Sequence, residues 1–291
     1  MFHIIINENY LKKKRVLKKF NGALKVFDDA GIQYEIHKTV RKGQAGEITR
    51  EITQVKGNTI IAAGGDGTLH DILNGFNDFE NNSLGIIPLG TGNDFAEGAG
   101  IPLNPKKAAQ LIVAGTPRPV DYIETSSGLR SLNSVGMGID VDVLKRAYVG
   151  RSNRKSKYLH SLIVCLIKFK SYKYTVRYDG KEEYHEGLIG AVGNGRQFGG
   201  GIKMFPDAKI NDGYLDLFVI DYLSRFKILG AFIKLMLGKV NKIKQATAVR
   251  TKAVQFVPHM ESYTIQADGE LYDNVPLEAR VSDTKLLLYY K

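Results

Sequence analysis

Short apolar runs alternate with segments of helical period along the amino-terminal part of the chain. The runs have the length of buried strands, and the segments between them repeat apolar residues every three or four positions. In order, the predicted elements are strand FHIII, a helix from Leu11 to Ala30, strand QYEIHKT, a helix carrying Ile48, Ile52 and Val55, strand TIIAA, a short helix from Thr68 to Phe76, strand LGIIPLG, another short helix, and a helix from Pro105 to Ala114. Such alternation predicts an α/β domain with a mainly parallel sheet.

The pattern changes near Pro117 and Pro119, and strand-like stretches dominate beyond them. They are DYIETS, RSLNSVGMG, YKYTVRYDG, EGLIGAVGN, YLDLFVIDY, TAVRTKAVQFV, SYTIQAD and TKLLLYYK. The dipeptide Asp179-Gly180 is typical of a type I′ hairpin turn. We therefore expect a second domain that is mostly antiparallel and sandwich-like. The expected division is 1–122 and 123–291, with the last residues able to return to the first domain.

Net charge and cysteine content limit the binding partners and the cellular location that we expect. The net charge of +11 predicts attraction to polyanions, or simply general solubility. Aromatic residues follow strand periods and form no stacking platform with basic residues, which disfavours nucleic acid. The single cysteine, Cys165, allows no internal disulfide and suits a reducing, cytoplasmic location. We expect no secretion signal, and no uncharged apolar segment approaches the ~18 residues of a membrane span.

The stretch IIAAGGDGTLHDILNGF, residues 60–76, joins a strand to a helix through glycines. Glycines reach positive φ and lack a side chain, so several N–H groups can converge on an anion beside the positive helix end. The turn matches neither GxGxxG nor the P-loop, because no lysine follows. It predicts a phosphate site, with a plain tight turn as the alternative.

Asp66 lies in the middle of this turn. A carboxylate there would repel phosphate unless a cation stood between them, so Asp66 predicts Mg²⁺, with a solvated turn aspartate as the alternative. The segment PLGTGND repeats the arrangement, with Thr91 in a glycine turn and with Asn93 and Asp94 as helix caps. Both turns should face one crevice.

These two segments, IIAAGGDGTLHDILNGF and GIIPLGTGNDFA, resemble the signature segments of the diacylglycerol kinase catalytic-domain family, which includes soluble bacterial lipid kinases related to sphingosine kinases. More distantly, GGDGT resembles the nucleotide loop of NAD kinases and phosphofructokinases. Later blocks match in order: SVGMGIDVDV, GNGRQFGGGIKMFPDAKINDGYLDL and ADGE. The resemblance implies a Rossmann-like α/β nucleotide domain followed by an antiparallel β-sandwich domain, with ATP in the cleft between them.

The resemblance also implies roles for individual residues. Thr39 would touch the nucleotide, and the phosphates of ATP would be lined by Gly65, Asp66, Gly67, Thr68, Leu69, His70, Asp71 and Thr91. Asp212, with the main-chain carbonyls of Lys209 and Tyr214, would hold Mg²⁺, although NDG is also an ordinary hairpin turn. Glu270 would accept the proton and, with Asp66, forms the expected catalytic pair; a solvent-facing hairpin residue is the alternative for Glu270.

Three departures from the family pattern stand out. The usual NPxSG after the first strand is replaced by Asn7-Glu8-Asn9-Tyr10-Leu11, which puts nucleotide contacts of this loop in doubt. His70 replaces an asparagine, and Phe205 replaces a small residue before a proline.

The resemblance leads us to expect an ATP- and Mg²⁺-dependent kinase acting on a lipid hydroxyl, foremost that of diacylglycerol to give phosphatidic acid. Open alternatives are another acceptor, such as NAD or a sphingoid or isoprenoid alcohol, and a binding protein without catalysis. Two segments that mix basic and apolar residues, 151–174 and 224–244, are candidates for transient contact with an anionic membrane, or for helices docked on the sandwich. Only the family resemblance suggests that the protein forms a homodimer.

Overall fold

The computed structural model describes residues 1–148, 155–167, 169 and 171–291. They form two compact units, one of Met1–Asp121 with Asp283–Lys291 and one of Tyr122–Ser282. The predicted fold class, an α/β domain and an antiparallel β-sandwich-like domain, is confirmed. Among the described residues, no helix combines the length and apolar character needed to span a bilayer.

The first unit is a six-stranded sheet whose central strands are buried on both faces. Its strands are β1 (Phe2–Asn7), β2 (Tyr34–Thr39), β3 (Thr59–Gly64), β4 (Ser83–Pro88), β5 (Arg118–Val120) and, from the end of the chain, β17 (Leu286–Leu288). Its helices are α1 (Glu8–Leu11), α2 (Lys14–Asp29), α3 (Gln44–Ile52), α4 (Asp66–Gly75), α5 (Asp94–Gly98) and α6 (Pro105–Ala114).

The strand order of this sheet is β2-β1-β3-β4-β17-β5, and all pairs are parallel except β17 with β5. From β1 the chain continues to β2 on one side, and it then returns to β3 on the other side of β1. The boundary between β1 and β3 is therefore a topological switch point. In open α/β sheets, ligands bind at the carboxyl ends of the strands beside such a point.

The predicted helix from Leu11 to Ala30 is divided in the structure. A helical turn, α1, ends at Leu11, and α2 starts at Lys14. The carboxyl end of α2 behaves as expected: Gly31 has φ +67°, and the Ile32 N–H donates to the Phe27 carbonyl at 3.0 Å. Phe27 is fully buried, so this end of α2 is fixed both by its cap and by the core.

The second unit is an antiparallel assembly with three described helices. Its strands are β6 (Ile123–Thr125), β7 (Arg130–Ser131), β8 (Ser134–Gly138), β9 (Tyr172–Tyr178), β10 (Lys181–Gly193), β11 (Leu215–Asp221), β12 (Ala246–Thr251), β13 (Ala253–Pro258), β14 (Thr264–Ala267), β15 (Glu270–Asp273) and β16 (Leu277–Val281). Its helices are α7 (Ile139–Tyr148), α8 (Lys155–Ile167) and α9 (Arg225–Met236), followed by a 3₁₀ turn at Val240–Lys242.

The path through this sheet is β15-β14-β8-β10-β9-β13-β16-β6-β7, and β11 and β12 extend from β10. The predicted hairpin at Asp179-Gly180 is confirmed, because both residues have positive φ, +47° and +76°, and β9 pairs directly with β10. TAVRTKAVQFV, predicted as one strand, bends at Lys252, where the Thr251 hydroxyl donates to the Ala253 carbonyl at 2.8 Å.

Candidate active site

The turns that follow β3 and β4 touch each other through their backbones. The N–H groups of Leu89 and Gly90 both donate to the Gly64 carbonyl, at 2.8 and 3.1 Å. A Cβ atom added to Gly90 would lie 2.5 Å from the Gly65 Cα, closer than real Cβ atoms approach. These glycines are therefore required by the close approach of two main chains at the carboxyl ends of neighbouring parallel strands.

The conformation of these glycines differs from our expectation. We expected the turn glycines to have positive φ, but Gly64, Gly65 and Gly67 do not. Gly65 has φ −111°, while the left-handed position in this region belongs to Asn93, with φ +57°. Space for the opposing backbone, rather than a left-handed turn, is the physical reason for glycine here.

Helix α4 begins at Asp66, two residues before the predicted start, with Gly65 as its N-cap. The N–H groups of Asp66, Gly67 and Thr68 precede the first intrahelical bond, which Leu69 donates to the Gly65 carbonyl at 3.1 Å. Helix geometry thus leaves three N–H donors beside the positive helix end. Such an arrangement suits an anion such as phosphate.

The remaining residues of the two turns differ in exposure. Thr91 is exposed, and the Thr68 side chain packs over Gly64, where an added Cβ would lie 2.5 Å from the threonine Oγ1. Leu69 and His70 are buried on the inner face of α4. These two could therefore meet a nucleotide only through their main chain.

Asp66 links the two turns. Its Oδ2 accepts the N–H of Asn93 at 2.8 Å, and its Oδ1 faces the N–H of Phe95 at 3.5 Å. The residue keeps some solvent contact, but its carboxylate lies deep in the turn. Burial raises the pKa of Asp66 to about 6, the Asp94 carboxylate adds to this rise, and the backbone amides oppose it. Asp66 is therefore not a solvated turn aspartate.

The carboxylates of Asp66 and Asp94 lie close together beside donors that suit phosphate. Like charges at short range oppose each other, and both oppose an incoming anion. Carboxylate oxygens are the ligands that Mg²⁺ takes in phosphate sites, usually together with several waters. The residues present therefore fit a divalent cation between the carboxylates and a phosphate.

The unusual segment after β1 forms the helical turn α1, which directs Tyr10 toward the glycine turns. The Asn7 side chain accepts the Asn9 N–H at 2.9 Å and caps α1. The Tyr10 hydroxyl lies 3.4 Å from the position of a Cβ on Gly65. Burial, and secondarily the Asp66 charge, raise the pKa of Tyr10. The Tyr10 hydroxyl thus lies at the β1/β3 switch point. In the sequence, this segment differed from the family pattern only by lacking the NPxSG residues.

Thr39 and Asp71 are farther from the turn contact. Thr39 is buried at the end of β2, opposite Asn7 of β1. The Asp71 carboxylate accepts the Gly43 N–H at 2.9 Å and so holds the loop between β2 and α3. Asp71 therefore supports the loop that follows Thr39.

The predicted metal turn is already closed by protein groups. The Asp212 carboxylate accepts the Tyr214 N–H at 3.1 Å and pairs with Arg250 at 2.5 Å, and Arg250 also lies 4.6 Å from the Tyr214 ring centroid. Burial raises the pKa of Asp216 to about 6, Arg250 opposes this, and Asp212 adds to it. A metal bound at this turn would have to share the Asp212 carboxylate with Arg250. The role of Asp212 with the Lys209 and Tyr214 carbonyls stays a prediction.

Glu270 is half-buried at the start of β15, directly after a tight turn. Asp268 and Gly269 in this turn both have positive φ, +50° and +88°. The Asp268 carboxylate accepts the Asn133 N–H at 2.9 Å and the Ser131 hydroxyl at 2.5 Å. Asp268, which sequence analysis did not single out, thus fixes the turn that presents Glu270.

A cavity in the second unit lies between the sheet and helices α8 and α9. Its wall is almost entirely apolar and includes Leu162, Leu166, Phe198, Met204, Ile228 and Leu235. Asp140, the second residue of α7, is the charged residue in this lining and is 2% exposed. Its carboxylate faces the N–H groups of Asp140 and Val141 and the Gln266 side chain.

This burial has an electrostatic consequence. Desolvation raises the pKa of Asp140 to about 7, and Asp142 adds to the rise, while nearby amide groups oppose it only partly. A buried carboxylate beside an apolar cavity is costly, and groups with such raised pKa values are concentrated at functional sites. The segment SVGMGIDVDV resembles a family block, but its sequence alone gives Asp140 no distinct role.

Comparisons with known proteins agree with this architecture. Residues 2–125 match the family model of the diacylglycerol kinase catalytic domain, and residues 133–289 match that of the YegS C-terminal NAD kinase beta sandwich-like domain. The chain is 31% identical to a diacylglycerol kinase of Bacillus subtilis over 272 residues, which cover 90% of this chain and 87% of the relative. It is 32% identical to the probable lipid kinase YegS of Escherichia fergusonii over 210 residues, 69% of each chain.

Solved structures support the same fold. A diacylglycerol kinase from Bacillus anthracis superimposes with a TM-score of 0.76 at 23% identity, covering 100% of this chain and 96% of that chain. An NAD kinase from Archaeoglobus fulgidus, solved in complex with ATP, superimposes with a TM-score of 0.52 at 13% identity, covering 99% and 93%. At these identities the likeness concerns the fold alone. The family-model matches and the Bacillus subtilis relative identify the chain as a lipid kinase that belongs to the diacylglycerol kinase catalytic-domain family.

Proposed function

We propose that this lipid kinase transfers the γ-phosphoryl group of ATP to a lipid hydroxyl in the presence of Mg²⁺, and that diacylglycerol is its acceptor. The observation that carries the proposal is the backbone contact between the two glycine turns at the start of α4. The name of the Bacillus subtilis relative supports diacylglycerol as the acceptor.

In this proposal the first unit binds the triphosphate. The N–H groups of Gly67 and Thr68 and the hydroxyl of Thr91 donate to phosphate oxygens, and Gly90 gives the nucleotide access to the backbone. Asp66 and Asp94 would hold Mg²⁺, which would offset phosphate charge. Tyr10 closes the same crevice from the β1 side and takes the place of the missing family loop.

The chemical step is a direct displacement. The acceptor oxygen attacks the γ-phosphorus, the bond from that phosphorus to the β,γ-bridging oxygen breaks, and ADP leaves. Glu270 accepts the proton of the attacking hydroxyl. The products are ADP, the phosphorylated lipid and one proton held by the enzyme until it is released to water.

The apolar cavity at Asp140 is the proposed acceptor site in the second unit. Its aliphatic and aromatic lining suits hydrocarbon chains. The buried Asp140 carboxylate favours a second candidate acceptor, a lipid that carries another hydroxyl or an amine beside the reacting hydroxyl. Diacylglycerol offers a single free hydroxyl, which the phosphoryl transfer itself uses.

A transfer assay tests both acceptors. Purified protein with labelled ATP and Mg²⁺ is incubated with diacylglycerol, a sphingoid base, a long-chain isoprenoid alcohol, NAD or no acceptor. Label in phosphatidic acid alone supports the proposal, and label in the sphingoid base supports the second candidate. Label only in NADP, or no label with any acceptor, would contradict both lipid candidates.

Asp140 also leads to a prediction about stability and pH. Its folded pKa of about 7 exceeds the ordinary 3.8, so between these values the folded state holds a proton that the unfolded state has lost. The free energy of unfolding therefore falls as the pH rises from about 4 to 7, by about 1.4 kcal/mol per unit of pKa difference. Asp140→Asn should be more stable than the wild type at pH 7.5, and the advantage should shrink toward pH 4.5. Urea unfolding at both pH values measures this, and a pH-independent difference would contradict the assignment.

We further propose that α9 docks on an anionic membrane. Ile233 and Met236 are 52% and 41% exposed, and Leu237 beyond the helix end is 59% exposed, beside Lys234. Ile233→Ser/Met236→Ser should weaken sedimentation with phosphatidylglycerol vesicles by about three- to tenfold per side chain, because about half of each side chain is exposed and complete burial stabilises by roughly 1.5–3 kcal/mol. Leu17→Ser, at a 37% exposed site on α2, is the control. Equal loss in the control would argue against a specific membrane face.

A further inference from the structure

Two histidines and a glutamate meet on one face of the first sheet, away from the glycine turns. His3 of β1 pairs in register with Glu35 of β2, and His37 follows two residues later on the same face. His3 lies near the amino end of β1, whereas the glycine turns lie at the carboxyl ends of the strands. The cluster is therefore distinct from the phosphate donors proposed at the glycine turns, although His37 lies two residues before Thr39 on β2.

The ligand atoms of the three side chains surround a single point. His3 Nδ1 and His37 Nε2 are 3.1 Å apart. A Glu35 carboxylate oxygen lies 3.7 Å from the former and 3.8 Å from the latter. The point equidistant from three atoms at these separations is about 2.1 Å from each, and zinc bonds to histidine nitrogen and carboxylate oxygen are about 2.0–2.2 Å long.

Hydrogen bonding among these side chains explains only part of the arrangement. One ring can donate to the other across 3.1 Å, but the Glu35 oxygen lies beyond hydrogen-bonding distance of both rings. Coordination of one cation explains why all three atoms converge.

Asn58 supports the orientation of His3. Its side-chain nitrogen donates to the carbonyls of Ile52 and Val55, at 3.1 Å each. Its side chain also hydrogen-bonds His3, for which the carbonyl oxygen is left as the acceptor. Metal-binding histidines commonly donate their other N–H to such a carbonyl, which fixes the tautomer and the ring plane.

Exposure provides a route for an ion. His3 is buried, His37 is half-buried and Glu35 is exposed, so the cluster opens to solvent on one side. Two imidazoles and one carboxylate are a ligand set that suits zinc and its neighbours, whereas Mg²⁺ prefers oxygen alone. We propose that His3, Glu35 and His37 bind a divalent transition-metal ion, with Zn²⁺ as the best fit. Because β2 is an edge strand held along one side by β1, the ion would fasten this edge.

The test uses the full chain, freed of metal with a chelator and titrated with Co²⁺. We expect one equivalent of Co²⁺ to give visible absorption bands of low-symmetry coordination, which Zn²⁺ removes and millimolar Mg²⁺ does not. Zn²⁺ should also raise the melting temperature. His37→Gln and Glu35→Gln should each weaken Zn²⁺ binding at least about tenfold, since each removes one ligand.

His160→Gln, at an exposed histidine outside the cluster, is the matched control and should bind Zn²⁺ as the wild type does. The proposal is overturned if the wild type binds no Co²⁺, or if His37→Gln binds Zn²⁺ with unchanged affinity. Circular dichroism checks that the variants are folded. ATP binding by His37→Gln should be unchanged, so failure of the metal proposal leaves the kinase proposal intact.

Discussion

Replacing Glu270 by Gln should lower the turnover number for lipid phosphorylation about 10²- to 10⁴-fold, the usual contribution of a positioned general base. Glutamine keeps the shape of the side chain but cannot accept the proton of the attacking hydroxyl. The affinity for ATP should stay unchanged, because Glu270 belongs to the second unit and the proposed phosphate donors belong to the first. Steady-state kinetics with the acceptor identified in the transfer assay, together with calorimetric titration of ATP, measures both effects.

Glu278→Gln is the matched control for this prediction. Glu278 is an exposed glutamate of β16, in the same unit, and the same substitution there should leave turnover within about twofold, as surface changes usually do. A Glu270→Gln enzyme with wild-type turnover would show that another group takes the proton. Loss of ATP affinity would instead assign Glu270 to nucleotide binding.

Gly90→Ala should abolish most ATP binding, because it separates the two turns. The new Cβ would lie 2.5 Å from the Gly65 Cα and 2.8 Å from the Asn93 side-chain oxygen, and the first of these atoms is backbone that cannot turn away. A misplacement of about 1 Å can cost ~10²-fold, and we expect a loss of ATP affinity of that order. Overpacking of this kind also costs about 1–3 kcal/mol of folding free energy. ATP titration and urea unfolding of the same variant measure the two losses.

Gly22→Ala provides the comparison. Gly22 lies inside α2 with no heavy atom within 4 Å of an added Cβ. The substitution should therefore stabilise the helix by about 0.5–1 kcal/mol and leave ATP binding unchanged. If Gly90→Ala binds ATP as tightly as Gly22→Ala, the contact between the turns has no role in nucleotide binding.

Local sequence patterns predicted most of the fold. The apolar run TIIAA predicts a buried strand from its own residues, and the strand is fully buried. The end of α2 is likewise determined by Gly31 and its neighbours. The same holds for the Asp179-Gly180 hairpin, whose φ values depend on two adjacent residues. The division of the first helix was missed because Lys12 and Lys13 carry no local helix-breaking signal.

The candidate site was predictable in its turns and not in its long-range partners. The glycines and Asp66 are adjacent in the chain, so their pattern is visible in the sequence. Asp268 holds residues more than 130 positions away, and Tyr10 reaches Gly65 only because β1 lies beside β3. The burial that raises the pKa of Asp140 is likewise a property of the packed unit rather than of its own segment. Each of these depends on topology that local spacing does not encode.

The return of β17 to the first sheet has a consequence for biosynthesis. This strand is inserted between β4 and β5, and its Leu286 and Leu288 are fully buried. Lys285 is ion-paired with Asp121, which has no solvent exposure of its own. When the ribosome has translated the chain as far as Ser282, the amino-terminal sheet therefore still lacks an interior strand. The first unit can complete its folding only after the whole second unit has been translated.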